Sequence, residues 1–356
     1  WLKDCKGRIL SMEASLAEKK RRWGRQGDGS QGSEPCKQEP SAPASARCPT
    51  TADMGAKEPY IFDMETGDPD DVLTLLLLAA HPRVDLRAVT ITPGSMEQVE
   101  LVRWILREVG LPDVAVGAQD WPKNEKKDGC MRGGFYASFG RLRSTVGDCE
   151  DAAALLKTCC DERTTLVTGA PVHNLAAAIA LGGFRLGRWV AQGGYAGEGV
   201  VPRELQMEKF YGKAVCQTWN FNGNIGAAES ALATKAIHRK VLVSKNVCHR
   251  VVYDEDLHRF VARAMEAITD RVSTQSIRML YDSMQTYLAK KPGGKKMHDP
   301  LALAVALDES VCTLAEVTMY RERGGWGAQL SPGSGIWISV DYDDTAFRSA
   351  LLPWIG

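Results

Sequence analysis

Five carboxylates fall within nine residues in the segment 63–71, which reads DMETGDPDD and directly follows a short apolar run. Like charges this close repel one another unless a cation joins them, and oxygen ligands at this density suit Ca²⁺ or Mg²⁺. The alternative is an acidic turn in which Asp70 serves as the N-cap of the next helix. The segment therefore predicts either a hard-cation site or a helix start.

Two later segments could bring partners to such a cation. The sequence HDP at 298–300 opens a long apolar stretch, where Asp and Pro are also ordinary helix-start residues. The segment TGAPVHN at 168–174 is typical of a turn between a strand and a helix. Its carbonyls, that of Gly169 among them, could meet a metal, although a simple connecting turn explains the same residues.

Three further segments carry groups suited to binding a small polar ligand. Gln192 precedes two glycines, which let a ligand approach the backbone closely. The sequence TWNFN at 218–222 predicts an amide-rich loop ahead of an alanine-rich helix. The sequence NVCH at 246–249 follows a predicted strand. Each of these features is also common in loops without a function.

Short apolar strands and amphipathic or buried helices alternate along the chain and would position these segments. This alternation predicts an α/β fold with a mainly parallel, Rossmann-like open sheet flanked by helices, whose ligands bind at the carboxyl ends of the strands. Strands are predicted at 60–62, 86–92, 114–116, 164–168, 188–192, 240–244 and 336–340, and helices at 71–80, 95–109, 227–236, 254–269 and 273–289.

The overall composition excludes several classes of protein. The 356 residues carry 44 basic and 44 acidic side chains, a balance that gives no support to nucleic-acid or membrane-surface binding by the chain as a whole. The longest apolar run, 72–80, is far shorter than the ~20 residues that a membrane helix requires. The 10 cysteines form no CxxC pair, which favours reduced thiols and predicts a cytoplasmic protein.

The first 56 residues differ in composition from the rest. Residues 1–25 hold eight Lys or Arg against three acidic residues, and the stretch that follows is rich in Gly, Ser and Pro. We therefore predict a basic, disordered linker or tail at 1–56 and a catalytic domain at 57–356. The KKRR run at 19–22 fits either a solvated helix face or a nucleic-acid address. Because the sequence begins at Trp1, we expect a further domain or a targeting signal upstream.

The order of these segments resembles the nucleoside hydrolase family over residues 59–355. The acidic turn after the first strand and the late HDP sequence are the most specific parts of the resemblance. The TGAPVHN turn, the Gly-Gly turn and the TWNFN loop stand between them in the expected order.

The resemblance implies a Ca²⁺-dependent hydrolase of the N-glycosidic bond in a ribonucleoside, with Mg²⁺ as the alternative ion. It implies that Glu65 accepts a proton from the attacking water, with Asp63 and Asp68 as the other candidates, and that His298 protonates the departing base. We also place Trp219, Asn174 and His249 on the wall of the pocket. By position, the metal ligands would be Asp71, Asp299, Glu65 and the carbonyl of Gly169, and the ribose would contact Asp70 and Asn220.

The sequence departs from the family pattern at two functional segments. Glu65 and Thr66 replace an Asp-Pro pair, and one residue is added before Asp70. Thr218 replaces a glutamate that is expected to hold the 5′-hydroxyl of the ribose. The second change would accommodate a modified or 5′-substituted ribonucleoside.

Two other kinds of function stay open at this point. The first is a catalytically silent nucleoside- or ribosyl-binding module, which the changes at Glu65 and Thr218 would favour. The second is a Mg²⁺-dependent phosphohydrolase, but no convincing set of a nucleophilic aspartate with a phosphate-binding Lys and Ser or Thr is found. The expected partner is a small nucleoside, and a homo-oligomer is left open.

Overall fold

The computed structural model describes residues 56–124 and 149–355. All described residues belong to one compact unit. The predicted tail at 1–56 lies outside the described residues except for its last position. None of the helices in the described part of the chain combines the length and apolar character needed to cross a bilayer.

The described residues form an 11-stranded sheet in the order β4-β3-β2-β1-β5-β6-β8-β13-β11-β12-β7 and a separate two-stranded ladder of β9 and β10. The strands are β1 (Glu58–Met64), β2 (Val84–Ile91), β3 (Ala115–Ala118), β4 (Glu150–Asp151), β5 (Thr165–Thr168), β6 (Leu186–Gln192), β7 (Val215–Cys216), β8 (Ile237–Val243), β9 (Val252–Tyr253), β10 (Lys295–Lys296), β11 (Cys312–Glu322), β12 (Gly325–Leu330) and β13 (Ile336–Tyr342).

The strands from β4 to β13 in this order are parallel, which confirms the predicted α/β fold with a mainly parallel sheet. The antiparallel extension of β11, β12 and β7 was not part of the predicted pattern. Most side chains of its strand β11 are half-buried or exposed, so the strand does not form a continuous apolar run. A strand that is solvated on one face gives a weaker signal than a strand buried on both faces.

Helices cover both faces of the sheet. They are α1 (Pro69–Ala80), α2 (Met96–Glu108), α3 (Ala152–Cys159), α4 (His173–Ala180), α5 (Trp219–Gly223), α6 (Ile225–Ala233), α7 (Lys245–Cys248), α8 (Glu255–Ala267), α9 (Arg271–Lys290), α10 (His298–Leu307) and α11 (Asp344–Leu351). Ser95 and Gln98 have the spacing of a capping box, and α2 begins with one: the side chain of each residue accepts a hydrogen bond from the other's backbone N–H.

Three local predictions near the acidic segment and the later polar segments were wrong in detail. The N-cap of α1 is Asp68 rather than Asp70, and Pro69 takes the first helical position. Helix α10 has Met297 as its N-cap, so Asp299 lies inside the first turn. The predicted TWNFN loop is a single helical turn, α5.

Helices α1 and α10 are buried almost completely and anchor the centre of the sheet. In α1 every residue except Ala79 is buried, and in α10 every residue except His298. The Tyr60 hydroxyl of β1 donates to the Ala306 carbonyl at 2.9 Å and ties α10 to the central strand. Burial on this scale holds the starts of both helices, and thus their acidic residues, in fixed positions.

Candidate active site

The predicted site residues gather where the order of the sheet reverses. The chain runs outward from β1 through β2 and β3 on one side, and from β5 through β6 and β8 on the other. Asp63 stands opposite Thr168 in the register of β1 and β5, and the Gly169 N–H donates to the Asp63 carbonyl at 2.8 Å. Such a switch point leaves a crevice at the carboxyl ends of the strands.

Three buried carboxylates converge in this crevice. Asp70, Asp71 and Asp299 each place an oxygen within 4.8 Å of the others, a spacing at which a single metal ion could contact all three. Asp70 and Asp71 start α1, whereas Asp299 comes from the first turn of α10, more than 220 residues later. We refer to these residues as the acidic centre.

The charge on Asp70 is compensated within the protein. Its Oδ1 lies 2.9 Å from the Lys295 ammonium, and its Oδ2 accepts hydrogen bonds from the backbone N–H groups of His298 (2.9 Å) and Asp299 (3.3 Å). Burial by itself would raise the pKa of Asp70, but Lys295, His298 and these hydrogen bonds outweigh it and lower the pKa. Asp70 is therefore an anion in the folded protein.

The charges on Asp71 and Asp299 are not compensated in the same way. Burial, and then the neighbouring carboxylates, raise the pKa of both groups well above the ordinary value for Asp. The Asp71 Oδ1 accepts one hydrogen bond, from the Glu65 N–H at 2.9 Å. Two buried carboxylates that repel one another are what a divalent cation would stabilise, so the residues present fit a bound Ca²⁺ or Mg²⁺.

Asp63 lies beneath the acidic centre, fully buried within β1. Its Oδ1 accepts from the Thr90 hydroxyl and from the Asn174 amide, each at 2.7 Å, while its Oδ2 is buried without a partner among the described residues. Burial raises the pKa of Asp63 to about 6, against these two hydrogen bonds. The Asn174 amide also donates to Thr92, so its contacts in the structure are internal.

Glu65 stands at the mouth of the crevice and is half-buried. Its charge contributes to the raised pKa of both Asp71 and Asp299, which places it beside the acidic centre. The indole N–H of Trp219 donates to its Oε2 at 3.3 Å, and this indole is 69% exposed. A large exposed aromatic ring beside a polar crevice is suited to covering a bound ligand.

Asn220 joins three elements on the other side of the crevice. Its amide donates to the Gly169 carbonyl at 3.0 Å and to the Gln192 side-chain carbonyl at 2.7 Å, at the ends of β5 and β6. Its own Oδ1 is buried without a partner among the described residues. Gly169 packs so closely under Asp299 that an added Cβ would lie 2.4 Å from the Asp299 Oδ2. No side chain larger than hydrogen fits there.

His298 and His249 form the far wall, with ring centroids 4.8 Å apart. The His298 Nδ1 lies 3.2 Å from the Cys248 thiol, which also accepts from the Gln192 amide at 3.4 Å. Burial lowers the pKa of His298 to about 4, so that the ring is neutral at pH 7. Burial, His298 and Lys209 lower the pKa of His249 to about 3.

Sequence reasoning missed several residues that support the site. Lys295 pairs with both Asp68 (3.1 Å) and Asp70, yet from sequence it looks like part of a solvated lysine pair. Gln98 donates to the Thr66 hydroxyl at 3.0 Å and thereby holds the acidic segment against α2. The spacing of Ser95 and Gln98 predicts the capping box of α2 but not the contact between Gln98 and Thr66.

The sequence model of the family described as inosine-uridine preferring nucleoside hydrolase matches residues 60–346. None of the curated proteins matches the sequence closely enough to count as a relative.

Solved structures with the same fold cover 83% of the chain in each case. They include a plant nucleoside hydrolase (17% identity, TM-score 0.60, 98% of that protein covered). A purine-preferring ribonucleoside hydrolase from Gardnerella vaginalis (17%, 0.58, 99%) and an inosine-uridine preferring nucleoside hydrolase from Bacillus anthracis (15%, 0.58, 98%) are also similar.

Proposed function

The chain belongs to the inosine-uridine preferring nucleoside hydrolase family and is a glycosyl hydrolase with N-ribohydrolase activity, and we propose that it cleaves ribonucleosides with the help of bound Ca²⁺. The products would be a free base and ribose. The observation that carries the proposal is the pair of uncompensated buried carboxylates, Asp71 and Asp299, within the acidic centre.

Asp71 and Asp299 would hold the ion, with Asp70, Glu65 and the Gly169 carbonyl around it. A divalent cation bound there would lower the pKa of a water molecule and would hold the ribose diol in position. Oxygen ligands favour Ca²⁺ or Mg²⁺ over softer metals, and Mg²⁺ is the alternative ion.

Glu65 is the better candidate for the base that takes a proton from water. It is half-buried at the mouth and touches Trp219, whereas Asp63 is sealed inside β1 with one oxygen held by Thr90 and Asn174. A proton acceptor needs access to water, which Asp63 lacks. Asp63 then acts by fixing the end of β1.

His298 would act at the departing base. Cleavage of the N-glycosidic bond leaves negative charge on the base as the sugar becomes oxocarbenium-like. A neutral ring N–H that donates to a base nitrogen would stabilise that charge. Asn220, whose Oδ1 is unpartnered among the described residues, would accept from a ribose hydroxyl.

The test is reducing-sugar release from inosine and uridine by the full chain, with Ca²⁺ and with a chelator. We expect release that the chelator abolishes and that Asp71→Asn lowers by at least ~10³-fold, because water activation and diol binding fail together. Asp282→Asn, at an exposed aspartate of α9, is the matched control and should retain activity.

Thermal unfolding measures Ca²⁺ binding independently of catalytic activity. Ca²⁺ should raise the Tm of the wild type but not that of Asp71→Asn, which relieves repulsion and should be at least as stable as the wild type without metal. Full activity of Asp71→Asn would contradict the proposal. Ca²⁺ binding and nucleoside binding without any release would instead support a silent nucleoside-binding module, which the Thr218 and Glu65 changes favour.

A further inference from the structure

Three lysines converge on the histidine wall of the crevice, and we call them the lysine cluster: Lys209, Lys245 and Lys296. The Lys209 ammonium donates to the His249 Nδ1 at 2.8 Å, and that of Lys296 donates to the His249 carbonyl at 2.7 Å. Lys245, at the start of α7, donates to the Gln217 carbonyl at 2.7 Å. Each lysine comes from a different part of the chain, so the fold brings them together.

The positive charge of the lysine cluster is not neutralised by the described part of the protein. None of the three lysines forms an ion pair with a carboxylate there. Burial, then the charges of Lys296 and Lys245, lower the pKa of Lys209. Of the acidic groups acting on Lys209, the Cys248 thiol has a pKa that burial raises to about 12 and is therefore uncharged at pH 7.

Two neighbouring histidines, His249 and His298, connect the lysine cluster to the acidic centre. The His249 ring stands 4.8 Å from that of His298, whose backbone N–H donates to Asp70. Lys245 holds residue 217, next to the turn whose Trp219 contacts Glu65. Negative and positive groups therefore flank the same crevice, which is complementary to a ligand with a diol at one end and an anion at the other.

We propose that the lysine cluster binds a phosphate group and that the preferred substrate is a ribonucleoside 5′-phosphate. This inference rests on the proposed hydrolase function. If the diol lies on the acidic centre and the base against His298, the 5′ carbon is the remaining corner of the ribose. Three partly exposed ammonium groups match a phosphate dianion, whose oxygens accept several charge-assisted hydrogen bonds.

Thr218 supports the same substrate. It lies immediately before Trp219, its hydroxyl is buried without a partner among the described residues, and it carries no charge that would repel an anion. A hydroxyl can donate to a phosphate oxygen. The lysine cluster is also compact rather than a long stripe, which favours one small phosphate over a polynucleotide backbone.

The reaction would leave the phosphate ester intact. Water attacks the anomeric carbon, its oxygen forms the new bond, and the C–N bond to the base breaks with both electrons. One water proton is removed and one proton is delivered to the base. The products are ribose 5-phosphate and the free base.

The test compares kcat/KM for inosine with inosine 5′-monophosphate, and for uridine with uridine 5′-monophosphate, in the full chain. We expect the wild type to prefer the monophosphates by roughly 100- to 1,000-fold, since each of the three charge-assisted contacts is worth about a factor of ten. Lys209→Ala, Lys245→Ala and Lys296→Ala should each reduce this ratio by roughly tenfold. Lys235→Ala, at an exposed lysine outside the crevice, should not change it.

The ratio of kcat/KM for the monophosphate to kcat/KM for the nucleoside distinguishes failure of the phosphate site from failure of the hydrolase function. Hydrolysis of the nucleosides with no preference for the monophosphates would overturn the phosphate site and leave the hydrolase function standing. If neither is hydrolysed, calorimetry with inosine 5′-monophosphate and inosine still decides: equal affinities overturn the site, and a preference lost in Lys245→Ala supports it. Inorganic phosphate serves as a further probe, since it should compete with the monophosphates and not with the nucleosides.

Discussion

At the scale of single residues, the acidic centre combines one satisfied carboxylate with two that lack compensation. Asp70 has Lys295 and two backbone N–H groups, whereas Asp71 and Asp299 face one another and Glu65. Burying like charges costs stability, and proteins keep such arrangements where they serve binding or catalysis. Asp70 therefore has a structural role, whereas Asp71 and Asp299 are available to bind a cation.

Loss of Lys295 should destabilise the protein strongly. Its side chain and that of Asp70 are 5% and 3% exposed, and removing one partner of such a pair leaves a buried charge uncompensated. We expect Lys295→Met to lower the free energy of unfolding by about 3–5 kcal/mol at pH 7. Urea denaturation measures this, with exposed Lys291→Met as the control. A double variant that adds Asp70→Asn should recover part of the loss, and no recovery would disprove the pairing.

Replacement of His298 should separate catalysis from binding. Removal of a group that assists the departing base lowers kcat by ~10²–10⁴-fold. We expect His298→Gln to show this drop with a KM changed far less, because the acidic centre still holds the ribose. Steady-state kinetics with inosine measure both constants. A substrate with a better leaving group, such as 4-nitrophenyl riboside, should restore most of the rate, and an equal loss with it would argue against this role.

The sequence predicted many of these residues but not their connections. The acidic segment and the HDP segment were recognisable because their residue types are unusual next to buried strands. Lys295 and the lysine cluster were not, because an isolated lysine has the same appearance in a sequence whether it is solvated or paired. Asn174 illustrates the converse, since a residue predicted to bind substrate has its amide directed at Asp63.

At the scale of elements, the starts of helices α1 and α10 carry the chemistry and their buried bodies keep it in place. Most strands and helices agree with the sequence pattern because apolar runs bounded by Gly, Pro and Asp punctuate it. The single-turn helix α5 and the β11–β12 hairpin were missed. Helix α5 is too short for a helical period to be recognised. The hairpin is partly solvated, so its strands do not appear as continuous apolar runs.

Gln98 links α2 to the acidic segment, and its loss should affect both. The fully buried amide accepts from the backbone N–H groups of Gly94 and Ser95 and donates to Thr66 and Thr92. Because Gln98→Met removes four hydrogen bonds to buried groups, we expect a loss of about 1–3 kcal/mol in unfolding free energy. Denaturant titration measures it, and the KM for inosine should rise as the acidic segment loosens.

The matched control for this variant lies one residue earlier. Glu97 is exposed in the first turn of α2, so Glu97→Ala should change stability by no more than about 0.5 kcal/mol. Equal effects of the two variants would show that helix propensity, and not the Gln98 hydrogen bonds, sets the result.

At the scale of the whole molecule, the order of strands decides which distant segments meet. The sequence indicates alternating strands and helices, but the order of strands depends on which way each crossover turns. The reversal between β1 and β5 brings the end of the first strand next to Gly169, and α10 then closes over both. The location of the site at the carboxyl ends of the strands was predictable from the parallel sheet. Which segments lie next to one another there was not predictable, because it depends on the strand order.

Global stability should depend on pH through His81. Burial first, then Arg83, lower its pKa to about 3, and they outweigh the hydrogen bond to the Ala350 carbonyl, which raises it. The Arg83 backbone N–H donates to the His81 Nδ1, which keeps that nitrogen unprotonated. Because the unfolded chain binds the proton near pH 6.5, this contribution is complete above that pH and is lost as pH falls toward 3. Between pH 6.5 and 4.5 the loss amounts to about 2–3 kcal/mol.

Two variants isolate this effect from the titration of other groups. His81→Gln retains a donor toward Ala350 but cannot titrate, so its unfolding free energy should fall less steeply with acid than that of the wild type. His238→Gln, at an exposed position of β8, should follow the wild-type slope. Identical slopes for all three proteins would exclude His81 as the source.

The close approach of Gly169 to Asp299 also affects the order in which an ion and a nucleoside bind. Its backbone lies against the Asp299 carboxylate and closes that side of the acidic centre, so we expect an ion to arrive from the side of Glu65 and Trp219. A nucleoside bound beneath Trp219 would then block the route by which the ion enters and leaves. The ion should therefore enter first and leave last, and saturating ribose should slow inactivation by a chelator in proportion to how fully it occupies the crevice.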